Sequence, residues 1–291
     1  MLPLLLPFCC LLFACDASRG PVYQGGLYFG QGAYLMRFSL RDGSLSAEGH
    51  LGETTIREVS ALGAGHLLIA ESASVNGRSV PRISWFDLKT GESADLYQGV
   101  YAKYLPRSDV IVYDDGSRLY AVPQTEGSEN EVVYAHAQNQ LTRLVTAAPG
   151  ILLFETREQG QPVVRSWNSV TEELERRDGL AASCRLQGAV WIGELQRLAC
   201  KPRQDSLADA RYLLSDLDGS LDGELPLPED RRFLALTYIP SLHLLVLRET
   251  HSRLLGGAEK NAVWVHDLRS GESHRLADNV NLGQSVVYTA F

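Results

Sequence analysis

Apolar positions along this chain come in short runs rich in β-branched and aromatic residues, each closed by a cluster of Gly, Pro, Asp or Ser. That pattern predicts short strands joined by turns. No stretch keeps a 3.6-residue apolar period; residues 171–177 come nearest, and their place in the repeat assigns them to a turn and a strand. The pattern also copies itself. AVWVHDLRSGE at 262–272 matches ISWFDLKTGE at 83–92, with weaker copies in MRFSLRDGS at 36–44, SWNSVTEE at 166–173 and LLSDLDGS at 213–220. Each reads as strand, tight turn, strand. A recurrence of roughly 45 residues is the mark of a radially repeated all-β array.

Aligned on these turns, the chain divides into four-strand units, lettered a to d from the axis outward. Five units are whole, over 55–98, 101–137, 141–177, 186–225 and 233–276. Two pieces are left: 26–49 supplies strands b, c and d, and 285–291 reads as a lone strand a. Joined, they make a sixth unit closed by both ends of the chain, which leaves no open sheet edge. The expectation is therefore an all-β, six-bladed β-propeller of four-stranded antiparallel blades over residues 26–291. Turn residues agree with the register, with Pro106, Pro149, Gly193 and Pro240 between strands a and b, and Gly43, Gly91 and Gly271 between c and d.

The WFDLKTGE and VHDLRSGE turns resemble the strand-DL-x-TG units of bacterial β-propeller proteins, the broad group that includes TolB-like repeats. The Gly-His and Trp-Asp pairs of WD repeats are absent, as are the Asp-box of sialidases and the tryptophan-ending motif of quinone-dependent dehydrogenases. The resemblance thus implies a fold and no particular chemistry.

The N-terminus has a composition of its own. Residues 1–14 carry no charge, and the apolar run 2–13 is too short to span a bilayer but suits a secretory signal. Leu12-Phe13-Ala14-Cys15 resembles the lipobox of bacterial lipoproteins, which implies a signal peptide over 1–14, a lipid on Cys15 and a tether over 15–25. Cleavage after Ala17 by an ordinary signal peptidase is the alternative. Either way the domain is exported, facing the periplasm of a bacterial envelope; Asp16 after the cysteine resembles an inner-membrane retention signal. Cys184 and Cys200 remain as an even pair, suited to a disulfide in an oxidising compartment. A hairpin turn at 193–196 places Cys200 opposite about residue 189, so bonding needs a bulge or a folded-back strand to bring Cys184 closer.

Composition excludes more than it assigns. With 35 acidic against 27 basic residues and a net charge of -8, there is no basic stripe for nucleic acid. No G-x-S-x-G elbow, cofactor motif or His/Cys metal spacing occurs, so no cofactor and no metal are expected. The run Asp216-Leu-Asp218-Gly-Ser-Leu-Asp222-Gly-Glu224 could suggest calcium, but its columns elsewhere hold LKTGE and LRSGE, and an Asp/Gly-rich hairpin turn is the simpler reading. Trp85, Trp167 and Trp264 are read as packing between blades.

The functional expectation rests on loops and charge. Connections from b to c at 72–81, 156–162, 202–210 and 250–261 are long, which elaborates one face of the disc. On that face strand b ends in Glu71, Asp114, Glu155, Lys201 or Glu249, while strand a begins near Arg57, Lys103, Arg143, Arg185 or Arg232. Arg78, Arg157, Arg203, His251 and Arg253 lie in the connections. Two readings stay open: a charged mouth that binds a polar ligand, or cross-strand ion pairs worth about 0.2–1 kcal/mol each. The expectation is a non-enzymatic envelope scaffold with protein partners. The alternatives are a hydrolase or lactonase with a metal in the channel, or a binder of a small sugar or peptide.

Overall fold

The computed structural model describes residues 21–63, 65–125, 128–137, 140–204, 211–249, 261–283 and 285–290. Strands dominate, and each sheet has four. The second blade holds β4 (Thr54–Ala61), β5 (His66–Val75), β6 (Arg78–Asp87) and β7 (Ser93–Tyr97); the third holds β8 (Tyr101–Leu105), β9 (Val110–Asp114), β10 (Arg118–Pro123) and β11 (Glu131–Ala135). The fourth has β12 (Leu141–Thr146), β13 (Ile151–Glu158), β14 (Gln161–Asn168) and β15 (Leu174–Arg176), and the fifth β16 (Cys184–Ile192), β17 (Arg197–Pro202), β18 (Leu213–Ser215) and β19 (Leu221–Glu224). The sixth is β20 (Phe233–Ile239), β21 (Leu244–Glu249), β22 (Ala262–Asp267) and β23 (Ser273–Asp278). The first blade combines β1 (Gly26–Gln31), β2 (Tyr34–Ser39) and β3 (Leu45–His50) with the C-terminal β24 (Val286–Thr289), which pairs with β1 from Gly26↔Thr289 to Phe29↔Val286. This is the six-bladed, terminally closed propeller that the repeat predicts.

First strands of successive blades touch in a closed ring, β24 to β4, β8, β12, β16, β20 and back to β24. Apolar side chains fill the seams between blades. Among the described residues they form six clusters, one per seam; Phe154, Leu119 and Trp167 lie between the third and fourth blades, and Phe29, Phe38 and Val265 between the sixth and first. A second strand is covered on both faces and so is mostly apolar; every residue of Val110–Asp114 is buried, with the charged Asp114 at its end. Outer strands face water, so most of Leu45–His50 and all of Leu221–Glu224 are exposed.

The repeated turn has a local cause. Asp87 Oδ1 accepts hydrogen bonds from the backbone N–H groups of Lys89 (2.6 Å) and Thr90 (3.0 Å), while the Gly91 N–H donates to the Asp87 carbonyl. Asp267 repeats this with Arg269 and Ser270, and Asn168 with Val170 and Thr171. The leucine that follows the aspartate, Leu88 or Leu268, packs into a seam. Asp216 accepts from the N–H groups of Asp218 and Ser220, and Arg177, Arg197 and Arg211 hold Asp218, Asp222 and Glu224. These carboxylates serve the hairpin, in keeping with the turn reading.

Three features differ from expectation. Residues 72–81 and 156–162 are extended hairpins, because Asn76-Gly77 (φ 51° and 73°) and Gln159-Gly160 (φ 51° and 80°) both accept positive φ and so close two-residue turns. In the third blade the c-to-d connection, 124–130, is the long one, and the turn between β9 and β10 is short. A six-residue helix, α1 (Asp178–Ser183), precedes β16. The other two expected long connections lie largely at 205–210 and 250–260, outside the described residues, as do His251, Arg253, Cys15 and the 1–14 segment.

Cys184 and Cys200 are disulfide-bonded, with Cα atoms 5.7 Å apart. The register jumps from Arg185↔Lys201 to Val190↔Ala199, so residues 186–189 form a bulge that draws Cys184 back toward Cys200. Tyr212, 1% exposed, ties that bulge to the next blade: its hydroxyl donates to Gly188 O (3.2 Å) and accepts from Ala235 N (2.6 Å).

Candidate functional site

The b-to-c hairpins and d-to-a links share one face, here the upper face. Its most prominent feature is the β5–β6 hairpin, whose residues 74–79, Val75 and Arg78 included, are exposed. Arg157 is exposed at the corresponding hairpin of the fourth blade, and Arg57 on β4.

The acidic ends of the second strands are mostly sunk below this surface. Glu71, Asp114 and Glu249 are 1%, 2% and 3% exposed. Burial on that scale demands a counter-charge or hydrogen bonds. Each carboxylate has them, and the partners come from outside the strand-a positions named from sequence. Glu71 accepts from Arg82 Nε (2.8 Å) and Nη2 (2.7 Å), with Arg82 itself extended to Asp95. Asp114 accepts from His136 Nε2 at 2.8 Å. Glu155 accepts from Thr142 Oγ1 (3.2 Å) and from Arg203 of the next blade (2.5 Å). Glu249 accepts from Arg231 (3.0 Å) and from Trp264 Nε1 (2.8 Å), and the Arg231 guanidinium stacks 4.6 Å from the Trp264 ring. Lys201, also buried, lies over the Tyr212 ring at 5.5 Å. Arg185 donates to the carbonyls of Pro202 and Arg203, and Arg232 is half-buried.

His136 escaped the sequence reading. Its side chain is 1% exposed, and burial alone would disfavour its charge, but the hydrogen bond to Asp114, the bond to the Ala137 carbonyl and the nearby Asp115 together raise its pKa. The antiparallel register places it: with Leu119 opposite both Asp114 and Tyr134, a histidine two residues beyond Tyr134 falls beside the end of β9. His266 is buried on β22 beside Ser273, and desolvation lowers its pKa.

The inner strands enclose an axial cavity of about 220 Å3 whose lining includes Lys103, Arg143, Thr146, Trp191, Thr237 and Tyr238. Lys103 is paired with Glu58 at 2.7 Å and bonds Ser60 Oγ at 3.0 Å. Tyr101 sits at the upper end; burial first, then the Glu58 charge, raises its pKa against the opposing effect of Arg143. The axis is therefore polar and basic on balance, not an acidic well. Among the described residues no group of three or more His, Cys, Asp or Glu side chains is placed to hold a metal ion. Trp167 and Trp264 pack in seams, and Trp85 lies edge-on to His66.

No family model matches this chain, and no curated protein sequence does. Solved structures do. A chain of the nidogen/laminin complex aligns over 90% of this protein and 97% of itself, at 13% identity and a TM-score of 0.61. TolB from Acinetobacter baumannii aligns over 90% of this protein and 65% of its own length, at 10% identity and a TM-score of 0.59. The propeller domain of the trilobed protease from Pyrococcus furiosus aligns over 80% and 73%, at 10% identity and 0.52. At such identities the likeness is one of fold: a six-bladed propeller with TolB-like neighbours, and with relatives in shape among hydrolases.

Proposed function

We propose that this protein is a binding module and not an enzyme, a scaffold that presents its upper face to a protein partner in the bacterial cell envelope. The observation that carries this reading is the fate of the acidic rim. Glu58, Glu71, Asp114, Glu155 and Glu249, the carboxylates that a channel-centred hydrolase would use, are each engaged by Lys103, Arg82, His136, Arg203 or Arg231. A carboxylate held in a buried pair serves the framework, and the cation already beside it opposes the approach of a metal ion to the same group. The β5–β6 hairpin then offers what a partner would meet: an exposed tip with an apolar Val75 beside a cationic Arg78. Likeness to a chain of the nidogen/laminin complex, in which two proteins are seen together, favours the same class of ligand. Export with a lipid on Cys15 and a tether over 15–25 would hold the disc near a membrane with its upper face available.

A photo-crosslinking residue at Arg78 tests this in cells, with one at Arg269 on the lower face as control and Cys15→Ala as the unlipidated form. A discrete adduct formed at Arg78, absent at Arg269 and diminished by Cys15→Ala, is expected. Adducts only at Arg269, or a stoichiometric divalent ion in the purified protein together with hydrolytic activity, would sink the scaffold reading.

A further inference from the structure

We infer that the axial cavity is a binding site for a small dicarboxylate, separate from the upper-face partner site. The charged side chains that line it, among the described residues, are both cationic: Lys103 and Arg143. Glu58 balances Lys103 at 2.7 Å. Arg143 is different. Its Nε is buried and meets no acceptor among the described residues, although Glu155 lies opposite it in the register, because that carboxylate turns to Arg203. A second lining donor, Trp191 Nε1, is likewise buried without an acceptor. Guanidinium and indole nitrogens can only donate, so what complements them must accept, and the cationic balance favours an anion. A cavity edged by two unsatisfied donors is costly when empty of acceptors, which is why such groups are paired in most folded proteins.

Position and volume narrow the ligand. Arg143 is the third residue of β12, toward the upper face, and Trp191 is the next to last of β16, by the lower turn. The two residues therefore leave the backbone at different depths along the axis, and a ligand serving both donors carries more than one acceptor group. Thr146 and Thr237 add hydroxyls to the wall. A cavity of about 220 Å3 has room for a small dicarboxylate. A ligand with two carboxylates can serve both donors at once, so acetate and sulfate are expected to bind more weakly.

The test uses the full chain labelled with 15N at its four tryptophan indoles, the Trp191 signal being assigned by its loss in Trp191→Phe. Succinate should shift that signal saturably, with acetate and sulfate binding more weakly, and Arg143→Gln should weaken succinate by about tenfold or more, as the loss of a charge-assisted hydrogen bond implies. Absence of a saturable succinate shift in the wild-type protein, the signature of a channel that holds only water, overturns the inference. So does an equal response to sulfate, or unchanged affinity in a folded Arg143→Gln protein. Because the wild-type titrations decide occupancy alone, the test stands even if that variant misfolds; Arg143→Lys then serves as the second probe, expected to keep partial affinity.

Discussion

Breaking the Cys184–Cys200 bond should soften the fifth blade by a calculable amount. The bond closes a loop between cysteines 16 positions apart. In the chain-entropy account, a crosslink over such a loop restricts the unfolded ensemble by about 3 kcal/mol at 25 °C. In a chain of this size each kcal/mol moves Tm by roughly 2–4 °C, so a Cys184→Ala/Cys200→Ala protein should melt about 6–12 °C below the oxidised wild type. Both side chains are fully buried, so loss of packing adds to this in the variant but not in reduced wild-type protein. Melting by circular dichroism with and without reductant therefore separates the two contributions. The bulge at 186–189 has a second anchor in Tyr212, so reduction should loosen the blade without abolishing the fold. If oxidised and reduced proteins melt within about 1 °C of each other, the crosslink restricts nothing in the unfolded chain that matters, and the loop-entropy reasoning fails.

Three further outcomes follow from the geometry. His136 has a raised pKa in the folded state, so its pairing with Asp114 stabilises fully below about pH 6.5 and less as pH rises through the folded value; the Tm gap between wild type and His136→Gln should shrink from acid to alkaline pH, and a gap that widens would contradict the pairing. Asp267→Asn should leave Tm almost unchanged, since Asn168 already fills that role in the fourth blade, whereas Asp267→Ala should lower it by removing the acceptor for the turn N–H groups. Gly30→Ala should cost about 1–3 kcal/mol in urea unfolding, because a Cβ there would sit 2.3 Å from Ile56 Cγ2 across the seam between the first two blades.

The architecture was legible because a propeller repeats its backbone problem. Each blade needs the same c-to-d turn, so the aspartate that holds the turn amides and the leucine that packs beneath it recur at fixed spacing, and the lone strand at the C-terminus stands out as the piece that completes 26–49. What failed was local. Asn76-Gly77 is a strong two-residue hairpin signal, yet the exposed polar stretch around it reads as loop when burial is taken as the guide to strand. Helix α1 is a single turn and a half, too short to show a period, and nothing in its composition separates it from the d-to-a links of other blades. The bulge before Cys200 cannot be counted from sequence, since a register shift looks the same as continuous strand.

The site was harder to read for a related reason. The repeat puts an acid at the end of strand b in Glu71, Asp114, Glu155 and Glu249, but it does not dictate what neutralises each one. The second blade uses an arginine from strand c, the third a histidine just past strand d, the fourth an arginine from its neighbour, and the sixth an arginine from the incoming link with a tryptophan N–H. Antiparallel pairing alone suggested strand a for all of them. The strand-a cations are used elsewhere: Arg57 is exposed, Lys103 pairs with Glu58 and Arg185 donates to the carbonyls of Pro202 and Arg203, so each deep carboxylate takes its directional donor from another element. The consequence reaches the axis. With Glu155 drawn to Arg203, Arg143 is left facing the channel beside Lys103, and the alternating charge expected from the sequence gives way to a basic lining. Arg203→Met should therefore do more than remove one surface ion: it would free Glu155 to swing toward Arg143, and the channel's succinate response should fall although no lining residue has changed. An Arg203→Met protein that binds succinate as the wild type does would show that the rim pairs and the channel are independent.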